Sequence, residues 1–176
     1  MPGSMKTRIF TVGHSNRTTP EFLGLLDSQK LKLLIDVRTI PKSRHNPQFG
    51  QKRLENTLRR HGIEYRHMSG LGGLRHPRKD SANKAWRNSS FRGYADYMQT
   101  PEFEEDLEKL IRLSKRKRLV LMCAEAVPWR CHRSLIADAL NARGIPVKDI
   151  MTKTSAREHR MTPFARVRKQ HVTYPA

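Results

Sequence analysis

Two hydrophobic patterns interleave along this chain: short unbroken apolar runs, and segments in which apolar residues return every three or four positions. The first run, Ile9 to Val12, has strand length and closes on Gly13-His14-Ser15-Asn16,. Thr18-Thr19-Pro20-Glu21 then predicts a helix start, with Thr19 as N-cap, Pro20 in the first helical position and Glu21 in the positive first turn. Phe22, Leu25 and Leu26 give that helix its buried stripe. Leu31 to Val37 predicts a second strand, with Asp36 and Arg38 at its end. Gln51 to Arg60 predicts a helix through Leu54 and Leu58, with Gly62 as its C-cap. Ile63 to Met68 predicts a third strand, followed by the glycine cluster Gly70-Leu71-Gly72-Gly73.

Arg75 to Ser90 is polar and aperiodic, a long excursion with Trp86 in its midst,. Trp86 reads as an anchor into the core, with base stacking as the other use. Helical spacing returns at Phe91, Tyr94, Ala95 and Met98. It returns again after Thr100-Pro101-Glu102, at Phe103, Leu107, Leu110 and Ile111. Leu119 to Cys123 predicts a central strand, and Leu135, Ile136, Ala139 and Leu140 a helix stopped by Gly144. Pro146 to Ile150 predicts the last strand, and the basic tail beyond it either packs as an arm or trails into solvent.

Strands alternating with helices through short connections predict an α/β fold: a single domain with a mostly parallel sheet and helices on both faces, in Rossmann-like layering. A length of 176 residues fits one core,. The domain is expected over residues 5–151, with a basic C-terminal arm at 152–176. Met1-Pro2-Gly3-Ser4 before Met5 reads as a remnant of expression. No apolar run approaches membrane-span length and no signal pattern is present, so a cytoplasmic, membrane-free location is expected. The two cysteines, eight residues apart, do not resemble a secreted disulfide framework,.

Charge changes the picture more than composition does. Lys and Arg number 35 against 16 Asp and Glu, a net charge of +19. Such a field draws polyanions, which makes nucleic acid or another polyanion the expected partner. The bias is densest from Lys30 to Lys79, with thirteen basic residues against three acidic ones. Acids at Glu102 to Glu108 and cations at Lys115 to Arg118 instead follow one helix's dipole and need no function.

In a parallel sheet, polar residues after the strands gather at one edge. That places His14 and Ser15, Asp36 and Arg38, and Cys123 and Glu125 at three strand ends. Arg130, Cys131, His132 and Arg133 lie where the following helix begins, and Arg44 sits in a loop able to reach a phosphate. Each residue alone has an ordinary explanation, a buried small hydrophobe for Cys123 and a hydrogen-bonded loop residue for His14. Their coincidence points to a site. Cys123, Glu125 and His14 are the catalytic candidates, as nucleophile and acid or base. Ser15, Asp36, Arg38, Arg44, Arg130, Cys131, His132 and Arg133 are the substrate-binding candidates. A thiolate beside Arg130 and Arg133 would have a lowered pKa, and Glu125 would oppose that. Cys123, Cys131 and His132 lack the usual paired zinc-ligand spacing, so no metal ligands are assigned and zinc stays open as a cofactor.

The pieces TVGHSNRT, LLIDVRTIPKSRHNPQF, LGG at Leu71 to Gly73, FRGYADYM and LVLMCAEAVPWRCHRSLIADAL resemble the domain-of-unknown-function 488 family over nearly the whole chain. The resemblance implies a cytoplasmic single α/β domain, and it makes His14, Asp36, Arg38, Arg44, Cys123, Glu125, Cys131, His132 and Arg133 motif members. A looser similarity of layout is to rhodanese-like domains, through Asp36-x-Arg38 and the Cys123 to Ser134 unit. Here, however, the loop is longer and contains Pro128. The expected function is an enzyme with a strand-end pocket acting on a phosphate-bearing substrate, most plausibly nucleic acid or nucleotide. The alternatives are a noncatalytic nucleic-acid-binding module and a thiol or redox enzyme of rhodanese-like layout.

Overall fold

The computed structural model describes residues 7–176; the stretch Met1–Ser4, expected to be an expression remnant, lies outside them. In chain order the main elements are β1 (Ile9–Gly13), α1 (Thr19–Ser28), β2 (Leu33–Asp36), α2 (Gln51–Arg60) and β3 (Glu64–His67). After these come α3 (Ser89–Tyr97), α4 (Pro101–Ser114), β4 (Leu119–Cys123), α5 (Arg133–Asn141) and β5 (Val147–Thr152). Three short strands end the chain: β6 (Ser155–Glu158), β7 (Arg166–Arg168) and β8 (His171–Thr173).

The first six strands form one sheet in the order β3-β2-β4-β1-β5-β6, parallel throughout except for β6, which runs antiparallel to β5. The three central strands are buried along their whole length, which is why they read as continuous apolar runs and not as alternation,. Parity divides their side chains. Phe10, Val12, Leu34, Val120 and Met122 pack under α1 and α2, whereas Ile9, Leu33, Ile35, Leu119, Leu121 and Cys123 pack under α3, α4 and α5.

That layering makes the crossovers predictable. From β1 the chain moves through α1 toward β2 on one face, and from β4 it moves through α5 toward β5 on the other,. Neighbours β1 and β4 therefore send their connections in opposite directions. The gap between their carboxyl ends is the switch point of the sheet, where ligands of open α/β folds bind.

Local chemistry agrees with the expected elements, with one shift at a cap. Thr18, not Thr19, caps α1, its hydroxyl accepting from Glu21 N at 3.2 Å. The same Thr-Pro-Glu-Phe letters at α4 place Thr100 itself at the cap. The extra threonine before α1 makes the difference, because it can sit one residue earlier with extended backbone. Gly62 and Gly144 both take φ +78°, the left-handed conformation that stops a helix at little cost for glycine,.

The tail packs back onto the body, and its hairpins carried no periodic signal. Tyr174 is fully buried, its hydroxyl donating to Asp138 at 2.7 Å and its N–H to Asn83 Oδ1 at 2.8 Å. Asp138 also accepts from His159 Nε2 at 2.7 Å and from Thr162 N at 3.0 Å, so one buried carboxylate on α5 ties down three points of the tail. Trp86 serves as the anchor of the long excursion, meeting Phe91, Phe164 and Tyr174 edge to face,. No helix among the described residues is long and apolar enough to cross a membrane.

Candidate active site

The strand ends converge as expected, but their side chains fall into two nests on opposite faces of the sheet edge. The first lies on the α1/α2 side. Asp36, with no exposure, accepts from Arg38 Nε at 2.9 Å, Arg38 Nη2 at 2.7 Å, Arg38 N at 3.1 Å and Tyr65 Oη at 2.6 Å. A carboxylate with four donors is saturated, and the forked face of Arg38 is consumed in saturating it. Only Nη1 of Arg38 reaches elsewhere, to His14 Nε2 at 3.5 Å.

His14 stacks on Phe49 with ring centroids 4.4 Å apart. Its Nδ1 lies 2.8 Å from the Ser15 carbonyl and must carry the proton, so Nε2 presents a lone pair to Arg38,. Burial holds the His14 pKa below its usual value. The Ser15 carbonyl and Asp36 pull it upward, and Arg38 reinforces the depression.

The second nest lies on the α5 side. Cys123 Sγ and Cys131 Sγ are 2.6 Å apart, with the Cys131 thiol donating and Cys123 accepting. Burial disfavours the Cys123 thiolate. The Cys131 donor, the Arg133 charge and the Glu125 backbone outweigh that, against the Glu125 carboxylate, and leave Cys123 below the ordinary thiol value,. Cys131 moves the other way, pushed well up by burial and by the proton it shares with Cys123.

Arg133 is 1 % exposed, and only its Nη2 finds a partner, the Ala126 carbonyl at 3.1 Å. Its Nε and Nη1 have no acceptor among the described residues. A buried guanidinium with two idle donors is costly, and a nearby anion is what relieves it.

His132 belongs to the same nest but faces the first. Its Nε2 donates to the Val37 carbonyl at 2.9 Å, while His67 Nε2 from β3 donates to the next carbonyl, Arg38 O, at 2.7 Å. Two imidazoles thus clamp the turn after β2. Burial drives the His132 pKa down to about 4, against support from carbonyl hydrogen bonds. A histidine kept neutral in the fold but free to protonate at 6.5 when unfolded adds stability that is complete above pH 6.5 and lost as pH falls toward 4,. Between pH 7 and pH 5 the protein should lose about 2 kcal/mol from this group, read as a drop in urea midpoint. The slope should flatten in His132→Gln.

Backbone fills the gap between β1 and β4. His14 N donates to Cys123 O and Ser15 N to Ala124 O, both at 2.9 Å. The Ala124–Ala126 chain lies so close that a Cβ on Gly13 would stand 1.6 Å from the Glu125 carbonyl. In the glycine cluster a Cβ on Gly72 would stand 2.8 Å from Thr39 Cα, so that cluster too serves close backbone approach,. Cys123 is 2 % exposed, with its Sγ 3.8 Å from the Glu125 carbonyl of the Ala124–Arg130 loop. Glu125 and Arg130 stand exposed on that loop, and Arg44 is exposed on its own loop.

The sequence profile described as Domain of unknown function DUF488 matches residues 18–140, well over half the chain. The chain belongs to that family. The matched stretch of this DUF488 protein runs from the start of α1 into the last turn of α5 and so contains the Asp36–Arg38 pair and the whole thiol nest, while His14 precedes it. No curated protein and no solved structure matched the chain.

Tyr65 and Phe49 complete the first nest and His67 the clamp on the turn after β2, and none of the three was among the expected site residues. Tyr65 and His67 sit in a half-exposed edge strand, where parallel register sets Leu34 beside Tyr65 and Asp36 beside His67. Only the strand order reveals that proximity. Among the described residues no three His, Cys, Asp or Glu side chains group to hold a metal ion.

Proposed function

We propose that this DUF488 protein is an enzyme that acts on a phosphate-bearing substrate through a Cys123 thiolate held beside Arg133. The observation that carries this reading is the buried Arg133 guanidinium with two donors unspent next to an acceptor thiol. Such a group can neutralise a thiolate at rest and the equatorial oxygens of a phosphoryl group during transfer. The exposed cations Arg130 and Arg44 would recruit the phosphate at the mouth.

In this mechanism Cys123 attacks phosphorus, forming a sulfur–phosphorus bond as the phosphorus–oxygen bond to the leaving group breaks. The leaving oxygen takes its proton from water at the mouth of the site. A second water then displaces phosphate from sulfur, releasing inorganic phosphate and a proton to solvent and restoring the Cys123 thiolate. His14 lies in the other nest, where its Nε2 faces a cation, which suits it to holding the β1 turn. Access to sulfur requires the Ala124–Arg130 loop to lift.

The test is hydrolysis of an aryl phosphate and of end-phosphorylated oligonucleotides, with acid-quenched mass spectrometry of the Cys123 peptide. Parent protein should release phosphate and show a transient phosphocysteine, and Cys123→Ser should do neither. Phosphate release undiminished in Cys123→Ser would overturn the reading.

A second reading, a noncatalytic nucleic-acid-binding module, is favoured by one feature: Arg8 and Lys115–Arg118 line a cationic depression at the opposite, amino-terminal edge of the sheet. Binding there should weaken steeply with salt and should not respond to changes at Cys123.

A further inference from the structure

A cavity of ≈ 340 Å³ opens between the Ala124–Arg130 loop and the β5–β6 hairpin with the segment that follows it. Trp86, Trp129, Arg157 and Arg160 are among its walls, with Asp149 and Glu158 as its acidic members. It shares its frame with the thiol nest: Trp129 belongs to the loop that follows Cys123, and Ser134, at the start of α5, hydrogen-bonds the Cys131 carbonyl with its hydroxyl at 3.0 Å.

Three features say what could occupy this cavity. Trp129 is 55 % exposed, an indole left open next to the buried Pro128. The Arg157 guanidinium stands 5.8 Å from its ring centroid, and neither Arg157 nor Arg160 has an ion-pair partner among the described residues. The Trp86 indole N–H, at the same cavity, is buried with no acceptor among the described residues. A flat π-face, cations beside it and an idle donor match a nucleobase with its flanking phosphates.

We infer that Trp129 is a stacking platform for one base of a single-stranded polynucleotide, which is thereby the substrate class of the Cys123 site; this deepens the function proposed above and rests on it. A base inside a duplex has both faces covered by its neighbours, so only an unpaired strand can offer one to Trp129. The net charge of +19 favours a polymer over a free nucleotide, because a chain of phosphates can engage cations beyond the cavity,. Arg157 and Arg160 on one side, and Arg130 on the loop leading to Cys123, give the backbone a path past the nucleophile.

The test is binding, scored in the Cys123→Ser background so that it does not depend on chemistry. Short oligothymidylate, the abasic strand of equal length, thymidine monophosphate and a duplex are titrated by anisotropy. Stacking is worth roughly 1–3 kcal/mol per base, so Trp129→Ala should weaken oligothymidylate binding roughly 5- to 150-fold. The abasic strand should be unaffected, and Trp129→Phe should restore most of the loss. Unchanged oligothymidylate affinity in Trp129→Ala overturns the proposal, as does an abasic strand or a duplex that binds as tightly as oligothymidylate. Thymidine monophosphate matching the oligomer would overturn the polymer. Trp129-dependent binding without phosphate release by the parent protein would sink the enzymatic reading alone.

Discussion

Replacing Arg133 with methionine should slow alkylation of Cys123 at neutral pH about ten-fold or more and leave the protein folded. The thiolate is the nucleophile toward iodoacetamide, so the rate at fixed pH reports how much of Cys123 is ionised. Burial alone would keep the thiol protonated, and the Arg133 charge is among the influences that reverse this. An opposite charge at close range is worth about 1–3 pKa units, and one unit is about ten-fold in thiolate.

Stability should respond differently. Arg133 has two donors without partners, and methionine keeps its bulk while removing a desolvated charge, so the urea midpoint should hold or rise,. Arg133→Lys restores charge without the fork and should recover part of the reactivity. The readout is the pH profile of the mass shift on the Cys123 peptide, which Cys131 does not confuse because its own pKa is pushed well up. An unchanged profile in Arg133→Met would remove the electrostatic basis of the proposed nucleophile.

The second large effect is on folding. Asp36→Ala should destabilise the protein by about 3–5 kcal/mol, the usual consequence of stripping one partner from a buried ion pair. Arg38, at 7 % exposure, would keep its charge with no carboxylate, and the Tyr65 hydroxyl would lose its acceptor. Asp36→Asn keeps the shape and some hydrogen bonds and should lose less. Replacing both partners by apolar residues, as Asp36→Leu with Arg38→Met, should recover much of the loss, since no unpaired charge remains. Urea unfolding measures all three, and an Asp36→Ala protein within about 1 kcal/mol of the parent would show that the pair is not what holds the β2 end. The contrast between the two arginines is the same physics twice: Arg38 has spent its donors on a carboxylate and anchors the fold, whereas Arg133 has not and is free to serve an anion.

Much of this architecture was legible in the chain. The interleaving of buried runs with capped, periodic segments led to an α/β fold with a mostly parallel sheet, and strand-end logic led to His14, Asp36, Arg38 and Cys123. Three things were not legible there. One was the division of the strand-end residues into two nests, because parity at a strand's end has meaning only once the helices covering each face are known. Tyr65 and His67 were hidden because their partners come from β2, far away in sequence, through parallel register. The tail hairpins were hidden because β6 and β7 are largely exposed and bury no apolar stripe, so their placement rests on pairing with β5 and on the polar contacts of Asp138 and Asn83.

The sequence by itself determined which segments as far as β5 become strands and helices, and that polar, thiol and cationic side chains would crowd the carboxyl ends of β1, β2 and β4. Periodicity and capping are local, and a few consecutive residues suffice to express them. Only the tertiary structure decided which arginine is neutralised and which is idle, which cysteine accepts, and that a tryptophan stands open beside the loop. Those outcomes depend on hydrogen-bond partners brought from distant strands, and a side chain's charge state follows from the company it is buried with.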